Sequence, residues 1–211
     1  MHASREPRTL CDMKLYYSPG ACSLASNIVL HEARLPTTFV KVELKSKKTE
    51  TGTDYRSINP KGYVPALELD DGDLLTENIA ILQYLASLSP TLLPQEGKAK
   101  WHAIETLAFV STELHKAFKP IYDPTSSDEL KQKARDLLGN RLELLVPKLA
   151  KREFIVGDAF SVVDAYLFVM LTWARKQSVR VPTELVQYAD TLSKRASVKE
   201  ALALEEAAKA S

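Results

Sequence analysis

Tyr16-Tyr17-Ser18-Pro19-Gly20-Ala21-Cys22-Ser23 carries a strand, a turn and a helix start within eight residues. The alternating segment 14–17 reads as a short β-strand, Pro19-Gly20 as the turn that ends it, and Ser23–Glu32 as a helix with an apolar stripe through Ile28 and Val29. Cys22 therefore stands at the first turn of a helix, where unpaired N–H groups and the positive dipole end favour a thiolate. Alternatively, a lone cysteine is a small buried hydrophobe. Cys22-Ser23-Leu24-Ala25 lacks the second thiol of a C-x-x-C pair, so a dithiol cycle within the chain is not expected.

Outward from this stretch the signals alternate. Thr38–Leu44 has period two, Lys45–Asp54 is polar, and Ala66–Leu69 reads as a strand. Asp70-Asp71-Gly72-Asp73 turns into Leu74-Leu75, and Thr76 is placed to cap a helix from Glu77 to about Leu88. The expected order is β-α-β-α-β-β-α over residues 13–92, an α/β unit. Residues 93–99 form a Pro- and Gly-containing linker. Residues 100–205 show only helical spacing, with stripes at Ile104, Leu107, Leu114, Phe118 and at Leu138, Leu142, Leu145, Leu149. Pro147 should kink or end the second stripe. Val162–Trp173 is apolar on all sides and should be central; residues 206–211 read as a tail that ends a fraying helix.

Composition excludes several functions. The chain has 211 residues, 45% hydrophobic and 26% charged, with a formal net charge of +1, so no overall field favours nucleic acid or an anionic membrane. No apolar run is long enough to span a bilayer. Two cysteines make no disulfide framework, which fits a reducing, cytoplasmic setting. Residues 1–12 are polar, with mutually cancelling charges, and read as a flexible extension that leaves Cys11 dispensable.

Four further motifs carry chemistry or its alternatives. In Asn59-Pro60-Lys61-Gly62-Tyr63-Val64-Pro65-Ala66-Leu67, a cis Val64–Pro65 bond would turn the Val64 N–H and C=O outward to pair with an extended peptide. An ordinary edge-strand proline is the alternative. Thr76-Glu77-Asn78 puts a carboxylate and an amide at a helix start, suited to an amino-acid terminus or simply to capping. Ser161-Val162-Val163-Asp164 is a capping-box variant with a folding role. His115 follows a core position, and Lys47 sits in a polar stretch. No histidine–carboxylate spacing suits a metal, and no Gly-rich phosphate loop is present.

Taken together, Tyr-Tyr-x-Pro-Gly-Ala-Cys-Ser, Asn-Pro-Lys-Gly-x-Val-Pro-Ala-Leu, Leu-Leu-Thr-Glu, Thr-Glu-Leu-His-Lys and Asp-Ala-Tyr-Leu-Phe resemble the bacterial, cysteine-containing (beta) class of glutathione transferases over residues 13–205. The resemblance implies a thioredoxin-like domain followed by an all-α domain, and a homodimer. It implies glutathione as co-substrate, with no metal, and a small apolar electrophile as second substrate. Cys22 then resembles the residue facing the glutathione sulfur, with Ser23 a further candidate and His115 approaching from the second domain. Tyr63, Val64 and Pro65 resemble the segment that pairs with the cysteinyl unit; Glu77 and Asn78 the pair holding the γ-glutamyl end; and Lys47 a basic group near the glycyl carboxylate. Lys116, Phe118, Tyr166 and Trp173 resemble the lining of the electrophile pocket. Ala108 departs from an asparagine that several relatives carry, which would weaken glutathione binding across the dimer.

Lowering the glutathione thiol's pKa of about 9 by two units takes about 2.7 kcal/mol of differential stabilisation. A helix dipole contributes up to about 2 kcal/mol, and hydrogen bonds to the thiolate supply the remainder. A thiolate on Cys22 would repel the glutathione thiolate, so Cys22 is expected to donate a hydrogen bond or to form a reversible mixed disulfide. Two other functions are compatible with these residues. One is a thiol–disulfide oxidoreductase that depends on Cys22, and the other is a non-catalytic protein binding apolar ligands.

Overall fold

A computed structural model describes residues 13–210. The expectations for residues 1–12, including Cys11, lie outside these residues, as does Ser211. The first part of the chain forms a mixed five-stranded sheet: β1 (Met13–Tyr17), β2 (Thr37–Glu43), β3 (Lys48–Thr49), β4 (Ala66–Glu68) and β5 (Leu74–Thr76), in the order β3-β2-β1-β4-β5. β1 and β2 run parallel with Leu15 opposite Phe39; β4 runs antiparallel to β1 with Leu67 opposite Leu15. The parallel pair needs a crossover, supplied by α1 (Leu24–Ala33). α2 (Asn78–Leu88) follows β5.

The second helical element of the expected order is a single 3₁₀ turn, Tyr55–Ser57. Polar residues 45–54 instead build β3 and its turns, with Gly52 at φ +86°. The Asp54 side chain accepts from Arg56 N–H and starts the turn, and Pro60 follows too closely for a longer helix to form. Thr76 does not cap α2. It remains in β5, and Glu77 takes the N-cap position with φ 71°.

Among the described residues the remainder is helices joined by turns and loops, with an isolated β-bridge between Phe154 and Gly157. α3 (Gly97–Phe109) continues through a π-turn at Val110–His115 and a 3₁₀ turn at Lys116–Phe118 into α4 (Lys119–Tyr122). α5 (Asp128–Glu143) ends before Pro147, which begins the short α6 (Val146–Leu149). α7 (Val162–Lys176), α8 (Thr183–Leu192) and α9 (Ala196–Ala210) complete the fold. Of the expected tail, residues 206–210 belong to a helix. α9 stays helical to Ala210, and the Lys41 ammonium donates to the Ala208 carbonyl at 2.7 Å.

Alternation along β1 divides the core. Leu15 and Tyr17 face α1 within a large cluster that runs unbroken through α2, α3, α5, α7 and α9. Tyr16 faces the other way, against Tyr55, Val42 and Val64. α1 packs against α2, α7 and α9, which explains why even its polar Ser26 and Asn27 are buried. α7 is buried nearly all round, as its composition predicts. Its capping box forms: Asp164 accepts from Ser161 N–H at 2.7 Å and from Ile155 N–H at 2.9 Å, and Tyr188 O–H donates to it as well. Burial pushes the Asp164 carboxyl upward while these donors pull it down. Its role is to seat the start of α7.

Candidate active site

A cavity of about 710 Å³ opens between the sheet and the helical wall. Every residue expected to take part in the site lines it, except Ser23. Ser23 is fully buried, and its hydroxyl accepts from Ser18 N–H at 3.2 Å and donates to Ser18 C=O at 3.3 Å. It staples the turn that carries Cys22 and does not face the cavity. Among the described residues no cluster of three His, Cys, Asp or Glu could hold a metal ion.

Cys22 is a protonated donor rather than the thiolate that a helix start alone would favour. Burial pushes its thiol up to about 12, against the hydrogen bonds that Cys22 N–H and Ser23 N–H offer the sulfur. The magnitudes explain the outcome: a helix terminus contributes at most about 2 kcal/mol, whereas full burial shifts a thiol by about 3 to 5 units, or roughly 4 to 7 kcal/mol. The protonated Sγ donates to the Val64 carbonyl at 3.4 Å.

The sheet side is a hydrogen-bonded frame. Val64–Pro65 is cis. Tyr55 O–H and Asn59 Nδ2–H both donate to the Tyr63 carbonyl at 2.8 Å, and Gly62 N–H closes a turn on Asn59 C=O at 2.8 Å. Gly62 has φ +67°, which the turn requires and a side chain would resist. The Lys47 ammonium donates to the Gly62 carbonyl at 2.9 Å. Among the described residues the Val64 N–H meets no acceptor, so its cavity-facing backbone keeps a donor to offer. Tyr63 itself is 67% exposed.

At the start of α2, Glu77 pairs with Lys61 at 2.7 Å, and the same ammonium reaches the Thr76 hydroxyl at 3.0 Å. Glu77 holds a left-handed φ that non-glycine residues rarely adopt, which turns its side chain to the cavity mouth. Asn78 differs from expectation. Its buried amide donates to Cys22 C=O at 3.3 Å and accepts from Ser26 O–H at 2.9 Å, tying α2 to α1. The groups it leaves for a ligand are the unpaired N–H donors at the helix start.

The helical side is aromatic. The π-turn advances the chain so that Ser111, His115, Lys116, Phe118, Lys119 and Tyr122 all reach the cavity. The His115 ring lies edge-on to Tyr166 at 5.8 Å and to Trp173 at 5.2 Å. Burial holds the imidazole below its ordinary pKa and pushes the Tyr166 phenol above its own. His115 Nδ1 and the Tyr166 hydroxyl share a hydrogen bond at 2.5 Å. Trp173 also packs edge-on to Phe118 at 5.4 Å and Tyr122 at 5.3 Å.

One contact joins both halves at the Cys22 turn. Gly20, at φ +79°, is held from two sides: Trp173 Nε1–H donates to its carbonyl at 2.9 Å, and the Glu205 carboxylate accepts its N–H at 2.7 Å. Glu205 is buried and its Oε1 has no partner among the described residues. Burial pushes its carboxyl up to about 7.

Sequence reasoning missed Glu205, Lys61, Ser111, Lys119 and Tyr122. Glu205 lies in an Ala/Glu-rich stretch with no local signal of burial. Lys119 and Tyr122 continue the His115-Lys116 stretch at three-residue spacing, a signal available but unused.

Comparisons with known proteins follow this geometry. Residues 20–88 match the family described as glutathione S-transferase, N-terminal domain, and residues 109–196 match glutathione S-transferase, C-terminal domain. The chain is 42% identical over 198 residues to glutathione S-transferase GstA of Escherichia coli O157:H7, covering 92% of this chain and 98% of that protein. It superposes with TM-score 0.87 on BphK, a bacterial glutathione transferase solved as a ternary complex, at 44% identity over 92% of this chain and 99% of the other. A sphingomonad glutathione S-transferase solved with glutathione gives TM-score 0.86 at 42% identity, covering 92% and 98% of the two chains.

Proposed function

The chain belongs to the glutathione S-transferase family and is a glutathione transferase, and we propose that the cavity between sheet and helical wall is where it joins glutathione to small apolar electrophiles. The observation that carries this reading is one cavity with two unlike walls. A backbone frame at Val64 and Glu77 suits a peptide, and an aromatic cluster at His115, Phe118, Tyr166 and Trp173 suits an apolar partner.

In this reading the tripeptide lies extended along Val64, whose N–H pairs with its cysteinyl unit. Its ammonium meets Glu77, and its α-carboxylate meets the N–H groups at the start of α2. Lys47, beside Gly62, faces the glycyl carboxylate. The sulfur sits near Cys22 and His115. The glutathione S–H releases its proton to solvent, and the thiolate sulfur forms a C–S bond to the electrophilic carbon. With an aryl halide, the halide departs with the electron pair of its bond to carbon. The protein's contribution is orientation and donors toward the developing thiolate: the Cys22 S–H, turned from the Val64 carbonyl to the incoming sulfur, and the His115 ring.

The protonated Cys22 argues against the oxidoreductase alternative, because thiol–disulfide exchange needs a thiolate. The test is conjugation to 1-chloro-2,4-dinitrobenzene by wild type and Cys22→Ser. Turnover that survives within about threefold, the size of one weak hydrogen bond, fits this reading. Loss of turnover in the variant, with disulfide exchange present only in wild type, would replace it.

We also propose a division into a glutathione-binding domain (13–92), a linker (93–99) and an all-α domain (100–205), a cytoplasmic setting, and a role in detoxification. A homodimer completes the reading, supported by exposed Tyr63 and Trp101. Sedimentation at micromolar concentration checks the dimer. Among the described residues no helix is long and apolar enough to cross a membrane.

A further inference from the structure

The helical wall carries charge as well as rings. Lys116, Lys119 and Tyr122 follow one another at three-residue steps, through a 3₁₀ turn and into α4. Residues three apart share a face in the 3₁₀ turn and in the α-helical turn that follows, so the three form one stripe, and all three line the cavity. Among the described residues neither lysine has a carboxylate within ion-pair distance, and Glu77, the carboxylate that lines the cavity, is engaged by Lys61. The acids nearest along the chain are committed elsewhere. Glu113 pairs with Arg141 at 2.9 Å, and Asp123 accepts from Thr125 N–H at 2.8 Å and Thr125 O–H at 2.6 Å. Asp123 also feels Lys119 electrostatically, without a direct pair.

On the sheet side the cations are already engaged: Lys47 on Gly62 C=O and Lys61 on Glu77. The surplus positive charge therefore lies on the electrophile's side of the cavity. Directly beside it stands the half-exposed Tyr122, backed by the buried rings of Phe118 and Trp173, an aromatic surface for a planar ring.

We propose that the preferred electrophile is an aromatic or conjugated molecule bearing an anionic group, a carboxylate or sulfonate, with the ring against Tyr122 and Trp173 and the anion at Lys116 and Lys119. This rests on the conjugation reading and narrows its substrate class. The reaction itself is unchanged. With 4-chloro-3,5-dinitrobenzoate, the glutathione sulfur bonds to the chlorine-bearing carbon, chloride leaves with its electron pair, and the thiol proton goes to solvent. The carboxylate takes no part in bond making and acts only in binding, so its effect falls on KM.

The experiment compares kcat/KM for 4-chloro-3,5-dinitrobenzoate and neutral 1-chloro-2,4-dinitrobenzene, each divided by its uncatalysed rate constant with glutathione. Wild type is expected to favour the anionic chloride. Lys119→Gln should lower the anionic-to-neutral ratio by about fivefold, the upper range for a solvent-accessible ion pair, and Lys119→Glu should lower it further. In wild type the ratio should also fall as salt rises from low to physiological ionic strength. A ratio that ignores both the substitutions and salt, or that favours the neutral chloride, would overturn the proposal while leaving conjugation intact. No turnover of either chloride by wild type would overturn the conjugation reading instead.

Discussion

The two walls of the cavity are built by opposite strategies. From Asn59 to Asn78 the surface is backbone, held by short polar bonds: Tyr55 and Asn59 on Tyr63 C=O, Lys47 on Gly62 C=O, and Asn78 between Cys22 and Ser26. From Ser111 to Tyr122, and across to Tyr166 and Trp173, the surface is side chain, held by edge-on ring contacts. A backbone frame can present only the peptide pattern and so suits one invariant ligand. A wall of rings and lysines changes with each substitution and suits a variable one. Under the proposed function, the difference would place specificity for the second substrate in 111–122 and affinity for glutathione in 59–78.

The largest expected effect tests whether the walls are independent. Asp164 receives donors from Ser161, Ile155 and Tyr188 beneath the helical wall. Asp164→Ala orphans them all and should cost about 3 kcal/mol or more. Because one core runs through both halves, a thermal melt should show a single transition, lower by about 10 °C, rather than early loss of the helical half alone.

Glu77→Ala sharpens the assignment of the peptide wall. If Glu77 holds the glutathione ammonium as proposed, its removal should raise KM for glutathione about 10- to 100-fold, with a smaller change in KM for the electrophile. Equal changes in both would erase the division between the walls.

Glu205 joins the walls through Gly20, and it titrates. Its folded pKa, about 7, lies above the ordinary 4.5, so the folded state holds the proton more tightly than the unfolded chain. That contribution to stability is complete below about 4.5 and is lost as pH rises through about 7. Burial is the main cause; Lys209 and Lys176 partly offset it, Glu206 adds to it, and the Tyr17 phenol also faces Glu205. Glu205→Gln removes the titration, so the melting temperature of the variant relative to wild type should rise by about 3 °C or more between pH 5 and pH 8. A flat difference would mean that the carboxyl is not titrating in this range.

The smallest effect concerns the other grip on Gly20. Trp173→Phe keeps an aromatic, though smaller, ring but loses the Nε1–H bond, worth about 1 kcal/mol, and should lower kcat/KM for the aryl chloride about fivefold. The ring wall being adaptable, KM for glutathione should move less.

Much of the fold was legible because its signals are local. The period-two strands, the Pro19-Gly20 turn, the Asn59–Leu67 motif, the capping box at Ser161 and the unbroken apolar run of α7 each announce their own conformation. Region 45–57 was less legible, since short polar segments take β-bridge or 3₁₀ form according to what they pack against. Of the cavity residues, Cys22, Val64 and Glu77 stand in motifs with their own chemistry, whereas His115 and Trp173 were legible only through the resemblance to the glutathione transferases.

The sequence by itself determined where turns, caps and periodic faces lie, because those depend on neighbours a few residues apart. Tertiary structure alone decided ionisation and reach. Cys22 is a protonated donor because burial outweighs a helix terminus. Asn78 faces inward because Ser26 and the Cys22 carbonyl lie across from it. Glu205, 185 residues from Gly20, becomes part of the active-site turn because α9 packs on α1. Desolvation and long-range hydrogen bonds depend on which surfaces meet, and that is fixed only when the whole chain has folded.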